Sequence, residues 1–476
     1  MAFLDILFYY VLIPVVVLGI AVNIHEFGHF IVAKLFKMRI EAYSFFGLGP
    51  RLWGFKIGNT DYRVSAIPLG AYVKLYGDDE TAPLEGGSSK PEVKEWTAER
   101  NIGEGERIDP VPTKELYQLR PRWQKLLVML GGPAMNLVLA FSVPFGSGLI
   151  QGIPTMPAPI IGKIDASGPA ATAGLQVGDR ITSFNHVENP TWGNIQLEVA
   201  VNPDHPLPLV VDRSGQRMSL EVTPRLDKSF ANQAVGSIDA FPDMGAQPVL
   251  VGTVQESTPA AEAGLQPNDQ IVAVNGENVR DATSTHDLVD KYKENPITLS
   301  ILRNGSPMQL TATVRKLDDG TERLGFGFKR PDLPTEPATL GSAAAYAITT
   351  NVETVKATGA VLGQVFAGKR SVKDSGVGGP ISIFQQSAEA TRLLGFEGFL
   401  VILTGISLSL GLFNLLPVPM LDGGQILVLG IEKVMSWFGR TLSMVARERI
   451  QLTGLAIVLL LMVTVIFFDV SRLVGK

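Results

Sequence analysis

The sequence predicts a multi-domain membrane protein with an α-helical core of four membrane spans, a membrane-associated β-hairpin, and two small α+β domains. Three observations predict this class. Of 476 residues, 46% are hydrophobic and only 18% are charged, a balance typical of membrane proteins. Four apolar stretches have about the length that crosses a bilayer. One segment outside these stretches recurs later in the chain, which indicates a duplicated domain.

The apolar stretches cover roughly 6–33, 126–150, 398–431 and 451–468, and about 20 apolar residues cross a bilayer. The third is long enough to contain a break, and Pro417 and Pro419 supply one. The first has no basic region before its apolar core and no small-residue cleavage site. We therefore interpret it as a retained span and not as a signal peptide.

The basic residues that flank the spans predict the orientation of the chain. They lie after the first span, before the second, and between the third and fourth: Lys34, Lys37, Arg39, Arg120, Arg122, Lys125, Lys433, Arg440, Arg447 and Arg449. By the positive-inside rule these loops are cytoplasmic, so both termini and the segment 151–397 lie outside. A formal net charge of −5 argues against a nucleic-acid partner. The absence of Cys excludes thiolate metal sites.

Two parts of the first cytoplasmic loop differ in character. Residues 58–76 are rich in strand formers around a Pro-Leu-Gly centre, which predicts a β-hairpin. Residues 77–107 are polar and predict a flexible linker.

The outer segment contains a repeat. "SGPAATAGLQVGDRITSFN" at 167–185 is answered by "STPAAEAGLQPNDQIVAVN" at 257–275. Each copy reads as strand, short helix, turn and strand, and the period is too long for a solenoid unit. The predicted domains are therefore a first membrane half 1–150, repeat domains 151–240 and 241–330, a linker with amphipathic helices 331–397, and a second membrane half 398–476.

The repeat resembles PDZ domains of bacterial protease-associated proteins, so both copies are expected to be PDZ-like. The first copy has His186 where the pattern has Gly, which puts its tight turn in question. A PDZ groove binds extended peptides by adding a strand to a sheet edge; the alternative is that both copies only space or screen. The Gly-containing segments 234–241 and 324–328 are candidate peptide-end loops, and the sequence does not assign them to a copy.

The first span carries "HEFGH", in which His25 and His29 are four residues apart. On a helix both imidazoles project from one face and can bind one metal ion, while Glu26 lies about 100° round. This is the HExxH arrangement of zinc peptidases, in which the carboxylate takes a proton from water. Polar groups in a span are costly, so a chance match or a purely structural His pair is the weaker interpretation.

Catalytic zinc usually takes three protein ligands, and Asp422 in the third span is the candidate for the third. At 1.5 Å per residue, His25 and His29 lie roughly 8–14 Å from Lys34, and Asp422 roughly 16 Å from Lys433. Breakage of the helix by the prolines, and the small Gly423 and Gly424, would let another backbone approach. The alternative is that Asp422 only caps a helix.

Taken in order, the HExxH span, "GGPAMNLVLA" in the second span, the PDZ-like repeat and "NLLPVPMLDGG" in the third span resemble the site-2 protease family of intramembrane zinc metalloproteases. The resemblance covers nearly the whole chain. It is strongest to the bacterial branch with two tandem PDZ domains that acts in the sigma-E stress response.

The resemblance implies Zn²⁺ held by His25, His29 and Asp422, with Glu26 as general base. It also implies that Asn414 holds substrate near the metal and that Asn136 supports the site; for each the alternative is a helix–helix hydrogen bond. Expected substrates are pre-trimmed single-pass membrane proteins of the anti-sigma factor type and signal-peptide remnants.

The resemblance further implies a bacterial inner-membrane location, with periplasmic PDZ domains and an active site near the cytoplasmic side. Two rival functions remain at this point. A non-enzymatic PDZ scaffold with a structural metal normally needs four protein ligands, and a metal transporter leaves Glu26 unexplained.

Overall fold

A computed structural model describes residues 5–67, 70–76, 112–230, 233–245, 248–293, 295–316, 322–329, 333–368, 371, 378–440 and 442–474. The linker predicted at 77–107 lies outside these residues. The chain forms two compact units. One comprises Met1–Ile153, Asp227–Val235 and Pro337–Lys476, and the other comprises Pro154–Leu226 and Gly236–Glu336.

Nine helices longer than one turn are present among the described residues, and a π-helical segment, Ile6–Leu12, precedes the first of them. In chain order they are α1 (Ile13–Leu35), α2 (Arg122–Gln151), α3 (Trp192–Val201), α4 (Ala282–Tyr292), α5 (Leu340–Phe366), α6 (Pro380–Leu394), α7 (Phe396–Asn414), α8 (Asp422–Trp437) and α9 (Met444–Val474).

The strands of three or more residues are β1 (Ile40–Phe46), β2 (Leu48–Ile57), β3 (Thr60–Ile67), β4 (Tyr72–Leu75), β5 (Ile161–Ile164), β6 (Arg180–Phe184), β7 (Leu207–Arg213), β8 (Gln216–Val222), β9 (Arg225–Phe230), β10 (Gln233–Ser237), β11 (Ala240–Pro242), β12 (Val249–Val254), β13 (Gln270–Val274), β14 (Ile297–Arg303), β15 (Ser306–Ala312) and β16 (Phe326–Phe328).

Within the described part of the chain, four helical stretches are long and apolar enough to cross a membrane. They are Leu7–Leu35, Arg122–Gln151, Phe396–Asn414 and Val445–Ser471. They match the four predicted spans, with one difference: the third predicted span, 398–431, is divided between α7 and α8.

The first two spans approach each other closely through glycine. A Cβ atom on Gly28 would lie 2.1 Å from the carbonyl oxygen of Gly131, and one on Gly131 would lie 2.6 Å from that of Gly28. Small residues permit such backbone contact between membrane helices. On another face of α1, a Cβ on Gly19 would lie 2.5 Å from the ring of Phe46 in β1. Helix α1 is therefore packed between α2 and a β-sheet.

That sheet corrects the predicted hairpin over 58–76. Its strand order is β2-β3-β1-β4, with β1 parallel to β3 and antiparallel to β4. The hairpin is instead β2–β3, which turns at residues 58–59. The prediction was wrong because β1, which precedes residues 58–76 in the chain, lies between β3 and β4 and pairs with both. Strands β3 and β4 therefore do not pair with each other as a hairpin would.

The break between α7 and α8 follows the sequence prediction. Helix α7 ends at Asn414, the chain passes through a non-helical segment with Pro417 and Pro419, and α8 begins at Asp422. This segment folds back on the start of α8: a Cβ on Gly423 would lie 2.3 Å from the Leu415 carbonyl oxygen, and one on Gly424 would lie 2.1 Å from that of Val418. The two glycines therefore permit the close approach.

The other unit contains two copies of one arrangement, with matching contacts in each copy. The Ala170 N–H donates to the carbonyl of Ile238, and the Ala260 N–H donates to that of Leu324, both at 2.9 Å. Strand β11 pairs with β5, and β16 pairs with β12. Residues 236–241 of the segment 234–241 therefore belong with the first copy, and 324–328 belong with the second. The sequence left both assignments open.

The tight turn of the first copy forms despite its histidine. His186 adopts a φ of +68°, close to the +80° of Gly276 in the second copy. Each copy has its own apolar core, built around Ile161, Phe184 and Val211 in the first and around Val251, Ile271 and Ile301 in the second.

Candidate metal centre

Three side chains predicted as ligands meet where α1 and α8 come together. The Nε2 atoms of His25 and His29 lie 3.2 Å apart. His25 Nε2 is 3.1 Å from Asp422 Oδ2, and His29 Nε2 is 3.5 Å from Asp422 Oδ1. The three residues are the one group among the described residues whose His, Cys, Asp or Glu ligand atoms converge in this way.

These separations fit zinc. Tetrahedral zinc with bonds of about 2.0–2.2 Å to nitrogen and oxygen needs ligand atoms roughly 3.3 Å apart, and the observed separations are 3.1, 3.2 and 3.5 Å. Three protein ligands also leave a fourth position open, as catalytic zinc requires. Asp422 is not a cap: it is the first residue of α8, and its helix has no side-chain capping bond.

The remaining ring nitrogens of both histidines contact α2. His29 Nδ1 lies 2.7 Å from the carbonyl oxygen of Val128. A ring N–H given to a carbonyl fixes the tautomer and leaves Nε2 free for metal. A Cβ on Gly132 would lie 2.4 Å from His29 Nε2 and 2.8 Å from His25 Cε1. Glycine at this position therefore leaves room for both imidazoles.

Asn136 is fully buried on α2 and faces the other ring nitrogen of His25. Its amide Nδ2 lies 3.3 Å from His25 Nδ1, while its Oδ1 is buried without a hydrogen-bond partner. If His25 binds metal through Nε2, its Nδ1 carries the proton and needs an acceptor. Turning the amide through 180° supplies one, because it brings Oδ1 to His25. The Ser407 hydroxyl of α7 donates to the backbone carbonyl of Asn136 at 2.9 Å.

The Glu26 carboxylate contacts the β-sheet. One of its oxygens accepts the backbone N–H of Val73 at 3.1 Å, and Val73 belongs to β4, the last strand of the sheet. The carboxylate thus lies beside the ligands and in contact with an edge strand. Asn414 is the last residue of α7, eight positions before Asp422 in the chain.

Sequence reasoning missed three contributors to the site: Gly132, the Val128 carbonyl and the Val73 N–H. Two are backbone groups, whose identity leaves no trace in a side-chain pattern. Gly132 stands in the motif that carries the family resemblance, but its role emerges only once α2 packs against α1.

The chain matches the model of peptidase family M50 over residues 13–461. It is 30% identical to the regulator of sigma-E protease RseP of Escherichia coli over 478 residues, covering 96% of this chain and 98% of that protein. It is 30% identical to protease RseP of Yersinia pestis, covering 96% and 98%. A protein of Treponema pallidum named as a zinc metalloprotease is 27% identical, covering 97% and 99%.

The chain belongs to peptidase family M50, the site-2 protease family. It is a membrane metalloprotease that uses zinc. The scaffold and transporter alternatives are thereby set aside, since family membership and the ligand geometry both point to an enzyme.

Proposed function

We propose that this protein cleaves peptide bonds inside the membrane-spanning segments of single-pass proteins that have already been trimmed outside the membrane. The observation that carries the proposal is the position of the ligands: His25 and His29 lie within the first span, and Asp422 follows the third. A hydrolytic site at that depth has transmembrane segments as its accessible substrates. Signal-peptide remnants fit the same chemistry.

In the proposed mechanism His25, His29 and Asp422 hold zinc. When bound, zinc acts as a Lewis acid that acidifies water and polarises a carbonyl oxygen. Glu26 accepts the proton of the attacking water and returns it to the leaving amine. Asn136 orients His25, and Asn414 holds the substrate backbone near the ligands.

A helical substrate must unwind before cleavage because its carbonyls are already hydrogen-bonded. Strand β4 offers replacement bonds. It ends the sheet, and its Val73 N–H lies on the side facing Glu26. A substrate strand added along β4 is the edge-pairing mode of peptide recognition, and it brings a substrate carbonyl next to Glu26. Segments with weak helical propensity are the preferred substrates.

The two repeats are proposed to be periplasmic PDZ-like domains, 151–240 and 241–330, of a bacterial inner-membrane enzyme, with the termini also periplasmic. RseP relatives are named as regulators of sigma-E, which supports an anti-sigma factor as the substrate type. We favour a screening role for the repeats, in which they exclude substrates with bulky outer domains; recruitment through peptide binding is the alternative.

The test is cleavage of a single-pass substrate by purified, zinc-loaded protein. A trimmed substrate should be cut within its span, and the same substrate with an intact outer domain should be refused. Deleting about 160–330 should allow the intact substrate to be cut if the repeats screen. Under recruitment the deletion should instead slow cleavage of the trimmed substrate. Absence of any cut within the span, with zinc bound, refutes the proposed function.

A further inference from the structure

The contact between Glu26 and Val73 joins the general base to the edge strand on which the substrate is proposed to dock. Among the described residues, strand β4 pairs with β1 on one side and with no strand on the other. In the register of that pair Tyr43 lies opposite Val73. The Val73 N–H is directed at the Glu26 carboxylate, with an N···O distance of 3.1 Å. The outward donor of the edge strand is therefore held by the general base.

We propose that this bond is exchanged during substrate binding: a carbonyl of the docking strand takes the Val73 N–H and thereby releases Glu26. The inference rests on the proposed function, since it needs a substrate that pairs with β4. Before docking, Glu26 is held by the sheet. After docking, the carboxylate oxygen that accepted the Val73 N–H is available to water.

Helix α1 and the sheet are fastened together on both sides of this contact. Before Glu26 in the chain, the Tyr43 hydroxyl donates to the Asn23 carbonyl at 3.4 Å. After it, the Lys34 ammonium donates to the Thr60 hydroxyl at 3.0 Å. Because these contacts fix the helix against the sheet, the Glu26–Val73 bond is broken more readily by a competing acceptor than by movement of the sheet.

An unwound substrate provides that acceptor. Its carbonyls have lost their helical partners in a medium without water, where an unsatisfied backbone group costs several kcal/mol. The Val73 N–H is a single donor, and two acceptors that share it bind it less well than one. Docking therefore sets the substrate carbonyl and the Glu26 carboxylate in competition. The displaced carboxylate oxygen can accept a hydrogen bond from the water at the site, whereas the carbonyl facing β4 has the Val73 N–H as its donor.

The consequence is an order of events. A segment that stays helical cannot pair with β4, so it leaves Glu26 bound to Val73. Only a segment that has unwound both occupies the edge and frees the base. Hydrolysis is thus conditional on strand pairing, which protects neighbouring membrane helices that merely diffuse past the site.

Binding to two inactive variants tests the exchange. Glu26→Gln keeps a side-chain oxygen for the Val73 N–H, whereas Glu26→Ala keeps none, and both are uncharged at this position. The probe is a fluorescent single-span peptide with a central Gly-Gly pair that wild-type enzyme cleaves. With zinc loaded, we expect Glu26→Ala to bind this peptide about threefold to tenfold more tightly than Glu26→Gln, the effect of one hydrogen bond.

Val73→Pro completes the cycle by removing the donor. Proline is accepted on an edge strand where the N–H points off the ladder. In this background the two Glu26 variants should bind the peptide equally. If Val73→Pro loses zinc, hydrogen exchange decides instead: Glu26→Ala should speed exchange of the Val73 amide, and added peptide should restore its protection.

Equal affinities of Glu26→Ala and Glu26→Gln for a peptide that wild-type enzyme cleaves would overturn the exchange and leave the proposed function intact. A difference that persists in the Val73→Pro background would also overturn it, because the effect would then not pass through the Val73 donor. If zinc-loaded wild-type enzyme does not cleave the peptide, the proposed function is wrong, and the exchange falls with it.

Discussion

The two repeats and the metal centre hold their carboxylates in different ways. In the repeats, Asp179 and Asp269 are each 1% exposed. Asp179 accepts two bonds from Arg213, at 2.7 and 2.8 Å, and Asp269 accepts two from Arg303, at 2.8 and 2.6 Å. Each also accepts a backbone N–H three residues upstream. These carboxylates are fully satisfied by protein groups, and a bidentate arginine fork stabilises the fold.

Among the described residues, no arginine pairs with Asp422. Its oxygens face the Nε2 atoms of His25 and His29, whose other ring nitrogens face the Val128 carbonyl and the Asn136 amide. Both imidazoles therefore turn the same nitrogen toward one carboxylate. In this chain, a carboxylate paired with arginine stabilises the fold. A carboxylate that lies next to the Nε2 atoms of two oriented histidines instead indicates a metal site.

The largest effect on cleavage is expected from Glu26→Gln, which leaves His25, His29 and Asp422 unchanged. The amide cannot accept a proton, so cleavage should fall by about 100- to 10,000-fold. Zinc content, measured by elemental analysis, should match wild type because Glu26 is not among the converging ligands. Turnover near the wild-type rate would show that another group serves as the base.

Asp422→Ala removes the only carboxylate among the three converging residues and should lower both zinc affinity and the rate of cleavage. The loss of zinc affinity should be larger than the roughly 10- to 100-fold loss caused by removing a residue that hydrogen-bonds to a ligand. Asp469→Ala is the control: Asp469 is a buried Asp, at 2% exposure, while Asp422 is partly buried. Asp469 accepts the Gly379 N–H at 3.1 Å and is not among the converging ligand residues. If both variants lose zinc equally in a chelator competition, the effect reports folding and not ligation.

The ligands were predictable from the sequence because each carries its own signal. A four-residue His spacing fixes a shared helix face, and Asp422 was the candidate third ligand because its depth in the predicted third span matched that of the histidines. The sheet was only partly predictable. Strand composition at 60–67 and 72–75 was recognised, but the insertion of β1 between β3 and β4 is a non-local pairing that no local pattern encodes. The sequence left open to which copy 234–241 and 324–328 belong, because that too depends on non-local pairing.

Asn136 distinguishes an oriented histidine from one that is merely packed. Asn136→Leu removes the acceptor for His25 Nδ1 and should weaken zinc binding about 10- to 100-fold. Asn136→Asp keeps an acceptor and should bind zinc more tightly than Asn136→Leu. The affinities are measured by chelator competition at equal folding, judged by thermal unfolding. Equal zinc affinity of the leucine and aspartate variants would show that the amide only fills space.

The smallest effect on catalysis is expected from Arg303→Met, which removes the two hydrogen bonds from Arg303 to Asp269 in the second repeat. Hydrogen bonds from Arg303 hold the pKa of the Asp269 carboxyl below its usual range. A carboxyl whose folded pKa is lowered adds stability that is complete above the unfolded pKa of about 3.9 and is lost as pH falls through the folded value. The variant should therefore be less stable than wild type at pH 7, and the difference in stability should shrink as pH falls through the folded pKa of the Asp269 carboxyl, which lies below its usual range.

The measurement is the ratio of hydrogen-exchange rates in β13 and β14 between the Arg303→Met variant and wild type at the same pH, so that the intrinsic pH dependence cancels. The ratio should be well above one at pH 7 and should fall toward one as pH drops through the folded pKa of the Asp269 carboxyl. Arg213→Met in the first repeat is the matched variant, with the effect moved to β6 and β7. Zinc affinity and cleavage of a trimmed substrate should change by less than about twofold, because neither arginine contacts the ligands. A ratio independent of pH would mean that Arg303 acts through packing and not through the Asp269 charge, and loss of zinc in either variant would mean that the carboxylates of the repeats and of the membrane site are energetically linked.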